Sequence, residues 1–189
     1  MGLFDSIQNP TGAPVPTNTP DQLPRKTVVF QEIPETLEQM QALPEASMKD
    51  PLDVAALTIA ALCVYPSNKY ESIRMLNFLK GPQPLTPYEL SFLADRFRDS
   101  DYVARSYFDG ATPQNNYLPQ RPYSITVYEL AHSRDALNEG YLTVNITSGG
   151  ADSPRQIRLR TKPSTGEWFL WEQFVLSGIR TPDAANPWA

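Results

Sequence analysis

One histidine and one cysteine are all that this chain of 189 residues offers of either type. A zinc site of the cysteine-rich kind, a disulfide framework and a histidine-cluster metal site each need more than that. Positive charge is also scarce. Sixteen Lys and Arg face 21 Asp and Glu, leaving a net charge of −5 and a pI near 4.9. General nucleic-acid binding needs a basic footprint, so it is not expected. Long apolar runs are missing too. The longest, Val54 to Tyr65, is interrupted by Thr58 and falls short of the ~20 residues of a membrane span. No Lys or Arg precedes Arg25 and no apolar segment follows Met1, so no signal peptide is visible. Cys63 stands alone inside that apolar run, where a thiol acts as a small hydrophobe. Together these features predict a cytoplasmic protein. A phosphate-cradling loop is unsupported, because Gly149-Gly150 is followed by Ala-Asp-Ser-Pro rather than by Gly-Lys-Ser and a helix. No cofactor, metal site or catalytic residue is expected.

Proline, by contrast, is abundant: 19 residues, about twice the usual ~5% share. Five of them fall in residues 1–24, which hold no Lys or Arg and many Thr and Asn. Such a composition does not offset its own ordering entropy, so 1–24 is read as a disordered tail. Residues 181–189 read as a loose C-terminal tail, and 25–180 as a single domain. Within that domain proline is punctuation. Arg25 to Ile33 reads as a strand. Pro34 opens a short helix carrying Leu37, Met40 and Leu43. Asp50-Pro51 caps and starts a helix from Leu52 to Val64 that is apolar nearly all round, hence central and buried. Asn68 caps a third helix, with Ile73, Leu76 and Leu79 on one stripe, closed by Gly81-Pro82. Thr86-Pro87-Tyr88-Glu89 is a capping box that launches a fourth helix, ending near Arg98. The period then switches to two. Tyr123–Glu129, Tyr141–Thr147 and Gln156–Lys162 alternate, and Trp168–Leu176 is apolar on both faces. Turns are signalled by Gly149-Gly150 and by Ser164-Thr165-Gly166. The expected fold is α+β: an N-terminal helical half of about four helices packed on a C-terminal antiparallel β-meander, with one extra N-terminal strand.

Candidate chemistry is thin. His132, in a loop between two predicted strands, has Ser133 and Asp135 beside it in sequence, but a triad must converge in space and adjacency does not supply that. Asp99 and Asp101 begin a calcium-loop pattern that Val103 breaks at the third ligand position. Two surfaces stand out instead. The stretch 101–122 is a long irregular loop rich in Tyr, Asn and Arg, the residues of recognition surfaces. Its candidates are Tyr102, Arg105, Tyr107, Asn116 and Tyr117. In Gln156–Lys162, the alternation sets Arg158, Arg160 and Lys162 on one face, opposite Ile157 and Leu159. A cationic ladder of this kind suits an acidic partner or phosphate groups.

Several stretches are similar to a known family: Pro24-Arg25-Lys26-Thr27-Val28-Val29-Phe30 through Ser47, Leu76-Asn77-Phe78-Leu79-Lys80-Gly81-Pro82, and Phe92-Leu93-Ala94-Asp95-Arg96-Phe97. The later ones are Ser106-Tyr107-Phe108, Ser148-Gly149-Gly150-Ala151-Asp152-Ser153-Pro154 and Trp168-Phe169-Leu170-Trp171-Glu172-Gln173. On these the chain resembles a family of uncharacterised bacterial cytosolic proteins, mainly from Firmicutes, grouped as a domain of unknown function. The resemblance implies a bacterial origin and a single domain, and carries no activity, cofactor or site residue. The residues themselves predict a non-catalytic binding or interaction module with a protein partner. Two alternatives stand beside it: an enzyme using Asp, Glu and Tyr in a pocket between helices and sheet, or a component of an envelope-associated complex recruited by its Met1–Ile7 tip.

Overall fold

A computed structural model describes residues 23–188. The expectations for the Met1–Ile7 tip and most of the proline-rich tail lie outside the described residues. In chain order the elements are β1 (Arg25–Phe30), α1 (Leu37–Gln41), α2 (Pro51–Val64), α3 (Lys69–Lys80) and α4 (Pro87–Arg96). Four strands follow: β2 (Tyr123–Tyr128), β3 (Tyr141–Ile146), β4 (Arg155–Lys162) and β5 (Glu167–Gln173). The strands form one antiparallel sheet in the order β1-β2-β3-β4-β5, so the fold is α+β, with helices first and a meander after them.

The sheet curls around α2, which touches all five strands. Twelve of its fourteen residues are buried, as an apolar helix without a polar face must be. Its one hydroxyl, Thr58, donates to the Val54 carbonyl at 2.8 Å. The helix starts where Asp50 Oδ1 accepts the Leu52 N–H at 2.9 Å, with Pro51 at the first position. Lys26 of β1 places its Nζ 2.7 Å from Asp50 Oδ2 and 2.6 Å from Asp53 Oδ1, tying the sheet edge to the helix start. Burial raises the Asp53 carboxyl above its ordinary value despite that ammonium. The opposite side of α2 packs on α3, where Ser72 donates to the Ala61 carbonyl at 2.8 Å.

Several element ends differ from the sequence expectation. β1 stops at Phe30 rather than Ile33. Phe30 pairs with Tyr123, the first residue of β2, and Pro122 before it has no N–H to continue the ladder. β5 stops at Gln173 rather than Leu176, because the Val175 N–H bonds the Gln173 side chain instead of a strand. α4 ends at Arg96, with Phe97 as its cap. The free edge of β5 is covered at two points. The Trp168 N–H donates to the Met48 carbonyl at 2.8 Å, and Lys80 Nζ donates to the Trp171 carbonyl at 3.2 Å.

The C-terminal residues are partly anchored. Pro182 is buried, and the turn Asp183–Ala185 meets the turn Pro113–Asn115, while Trp188 is 92% exposed.

Candidate functional site

The two surfaces singled out in the sequence separate sharply once packed. In the loop, Tyr107 and Tyr117 are buried, not displayed. The Tyr107 hydroxyl donates to the Val175 carbonyl at 2.6 Å, and burial pushes its pKa well above the ordinary phenol range. The Tyr117 hydroxyl donates to the Arg180 carbonyl at 2.7 Å, and burial raises this phenol too. Its ring stacks on half-buried Tyr102 at 5.4 Å between centroids. Asn116 is exposed, but Asn116 and Tyr117 both take left-handed backbone (φ 55° and 53°), an arrangement that turns the Tyr117 side chain inward. Arg105 bonds the Asp101 carbonyl and lies 3.8 Å from its carboxylate. The loop therefore wraps the domain with its own aromatics. The expectation of a contact surface built from these tyrosines is corrected for Tyr107 and Tyr117, whose rings solvent does not reach.

The strand face is different. Ile157 and Leu159 are fully buried, while Arg158, Arg160 and Lys162 stand on the other side of β4. Arg160 pairs with Tyr141 of β3. Two guanidiniums lie over the Tyr141 ring, that of Arg158 at 4.3 Å and that of Arg160 at 5.2 Å. Arg160 also lies 4.8 Å over the Trp171 ring, and Trp171 meets Tyr141 edge-on at 5.4 Å. Trp171 is the extra residue of β5 at its register shift, between Leu170 opposite Leu159 and Glu172 opposite Arg158. The product is a strip in which guanidiniums sit over aromatic rings. Stacking holds a guanidinium in place and leaves its N–H edge free for carboxylate or phosphate oxygens. Arg158 is 3.8 Å from Glu172, and among the described residues neither Arg160 nor Lys162 has a carboxylate within 4.0 Å.

Sequence reasoning found the three cations and missed Tyr141 as their platform. The signal lay in the β3–β4 register, which puts Tyr141 opposite Arg160. That register is set by a connection from Thr147 to Pro154, much longer than the Gly149-Gly150 turn alone. Gly149 is instead a close-approach point, since a Cβ there would overlap the Ala111 carbonyl.

His132 is 90% exposed, with Nδ1 3.1 Å from Asp135 Oδ2. Cys63 is partly exposed at its surface, yet burial pushes its thiol up to about 12 against the weaker pull of Arg105. Asp101, of the broken calcium-loop pattern, is exposed and lies 3.8 Å from half-buried Arg105. Among the described residues no three His, Cys, Asp or Glu side chains gather as a metal site, and no helix is long and apolar enough to cross a membrane.

A family model described as a domain of unknown function (DUF6935) matches residues 32–183. No curated protein and no solved structure matches the chain.

Proposed function

The chain belongs to the family described as a domain of unknown function (DUF6935), and we propose that it is a non-catalytic binding module whose sheet face holds an acidic segment of a protein partner. One observation carries the reading: Arg158, Arg160 and Lys162 project together from a strand whose other face is core, with both guanidiniums laid on Tyr141 or Trp171. Arginines fixed in this way lose less freedom on binding than free ones, so each carboxylate bond contributes more net affinity. The strip is a local exception on a chain of net charge −5, which favours a partner with clustered acids over a uniformly anionic polymer.

The test is fluorescence anisotropy with a labelled Asp/Glu-rich peptide, against wild type and the R158E/R160E double variant. Saturable binding that weakens with salt and is lost in the variant is expected. Equal binding by the variant removes the surface assignment.

A further inference from the structure

Beside the cationic strip, across the edge of β5, lies an apolar cleft of about 510 Å³. Its floor is Leu62, Leu76 and Leu170, its far wall is Phe92 of α4, and Tyr88 and Phe174 stand at its mouth. These two aromatics are 79% and 52% exposed, the kind of uncovered apolar surface that marks contact sites. The volume falls in the ~300–1,000 Å³ range of ligand pockets. A smaller hollow of about 280 Å³ adjoins it, lined by Arg160, Lys162 and Phe169. Lys80, Leu170 and Trp171 line both, so the two are one continuous groove running over the strand edge.

Lys80 sits at the join. It is nearly buried, 2.7 Å from Glu89 and bonded to the Trp171 carbonyl. Its ammonium is thereby spoken for, and the one other charge lining the cleft, Glu172, lies 3.8 Å from Arg158. The groove's cations without a carboxylate within 4.0 Å, Arg160 and Lys162, both lie in the smaller hollow. The groove thus has a charged end and an apolar end of fixed order.

On the basis of the binding reading above, we infer that the partner segment is bipartite: acidic residues on Arg160 and Lys162, followed across the β5 edge by a Phe or Leu that enters the cleft between α4 and β5. Charge complementarity selects the acid at one end, and the exposed Tyr88–Phe174 mouth selects the apolar side chain at the other. The occupant is an extended peptide rather than a lipid surface. The strip lies on the face opposite Ile157 and Leu159, whereas the cleft floor includes Leu170 from the core side. A flat bilayer cannot meet both sides of a strand edge, and a bending chain can. Strand addition to β5 is not the mode, because Met48 and Lys80 already occupy edge groups of Trp168 and Trp171.

Three labelled peptides of equal length test this: acids only, acids plus a Phe-Leu pair, and the Phe-Leu pair with Ser and Gln in place of acids. They are titrated against full-length wild type, Y88S/F174S and R160E; the first pair of changes is at exposed positions and leaves the core intact. The acid-plus-apolar peptide is expected to bind about tenfold tighter than acids alone. Y88S/F174S removes that gain and leaves acid-only binding unchanged, while R160E weakens both. Equal affinity of the first two peptides, or a gain that survives Y88S/F174S, overturns the bipartite site and leaves the strip standing. Binding of acids that is indifferent to R160E overturns the strip itself. Sedimentation with phosphatidylglycerol vesicles, abolished by Y88S/F174S when no peptide binds, would replace the peptide with a membrane.

Discussion

Replacing Tyr107 with Phe separates a loop that wraps the core from a loop that meets a partner. The hydroxyl removed donates to the Val175 carbonyl at 2.6 Å, and both residues are essentially inaccessible to water. The substitution leaves the ring in place and strands a buried acceptor. A net hydrogen bond contributes roughly 0.5–1.5 kcal/mol, and a stranded buried polar group costs about 1–3 kcal/mol. The Val175 carbonyl has no other partner among the described hydrogen bonds, so the loss is expected near ~2 kcal/mol. For a domain of this size each kcal/mol shifts the melting temperature by roughly 2–4 °C, which gives a drop of about 4–8 °C. Urea unfolding followed by tryptophan fluorescence measures it, with acidic-peptide affinity measured on the same preparations. Affinity should stay at the wild-type value. A loss under 0.5 kcal/mol, or a loss of affinity with stability intact, would refute the packing argument and return the loop to the contact surface. The pH dependence adds a second check. Burial raises the Tyr107 phenol, so the unfolded state releases its proton first and stability falls as pH rises above ~10. Tyr107→Phe should flatten that alkaline slope.

Cys63, with its thiol at about 12, should react with Ellman's reagent at pH 8 roughly 50- to 100-fold more slowly than a free thiol, the scarcer thiolate outweighing its greater nucleophilicity; stopped-flow absorbance checks this. Glu89→Gln should cost about 2 kcal/mol in urea unfolding, because Lys80, 8% exposed, loses its only carboxylate. The double variant with Lys80→Met should recover part of that loss. Hydrogen bonds from Lys80 and Thr86 outweigh burial and lower the Glu89 carboxyl, so its contribution is present above the unfolded value near ~4.3 and is lost as pH falls through the folded one. The Gln variant should therefore show a shallower acid limb. Gly149→Ala should destabilise by more than about 3 kcal/mol, since its Cβ overlaps the Ala111 backbone, which cannot swing aside; circular dichroism melts measure the loss.

The helical half was legible because its signals are local. Asp50-Pro51 and the Thr86–Glu89 box announce helix starts within four residues, and the apolar ring of α2 announces burial. Strand existence was legible from alternation, and strand ends were not. Phe30 ends β1 because of Tyr123 and Pro122, about ninety residues away, and no local pattern carries that information. The same limit governed the site. Alternation placed Arg158, Arg160 and Lys162 on one face, since that needs only β4 itself. The aromatic platform needs the β3–β4 and β4–β5 registers, which β4 alone does not carry. The loop from 101 to 122 misled for a related reason. Tyr and Asn serve recognition and packing equally well by composition, and only the inward turn at Asn116–Tyr117 decides between them.

Charge placement gives the strip its weight as a site. A sheet face away from the core needs only polarity, and β1 and β2 meet that need with one cation, Arg25 at 4.9 Å over the Tyr128 ring, and with Thr27 and Thr126, which share a hydrogen bond at 2.9 Å. β4 solves the same problem with three cations at alternate positions, ~7 Å apart along the strand. Each adjacent pair repels by roughly 0.6 kcal/mol in bulk water before salt screening. Glu172, at 3.8 Å from Arg158, and Glu167, the cross-strand neighbour of Lys162, offset two of the cations in part and leave Arg160 with no acid opposite it. Threonines at these positions would solvate the face without that repulsion and would fit β-strand geometry better. Edge protection does not explain the choice either, because β4 is interior to the sheet, paired on both sides by β3 and β5. Three cations on one strand, in a chain with five more acids than bases, set up a repulsion that the proposed acidic partner would relieve on binding.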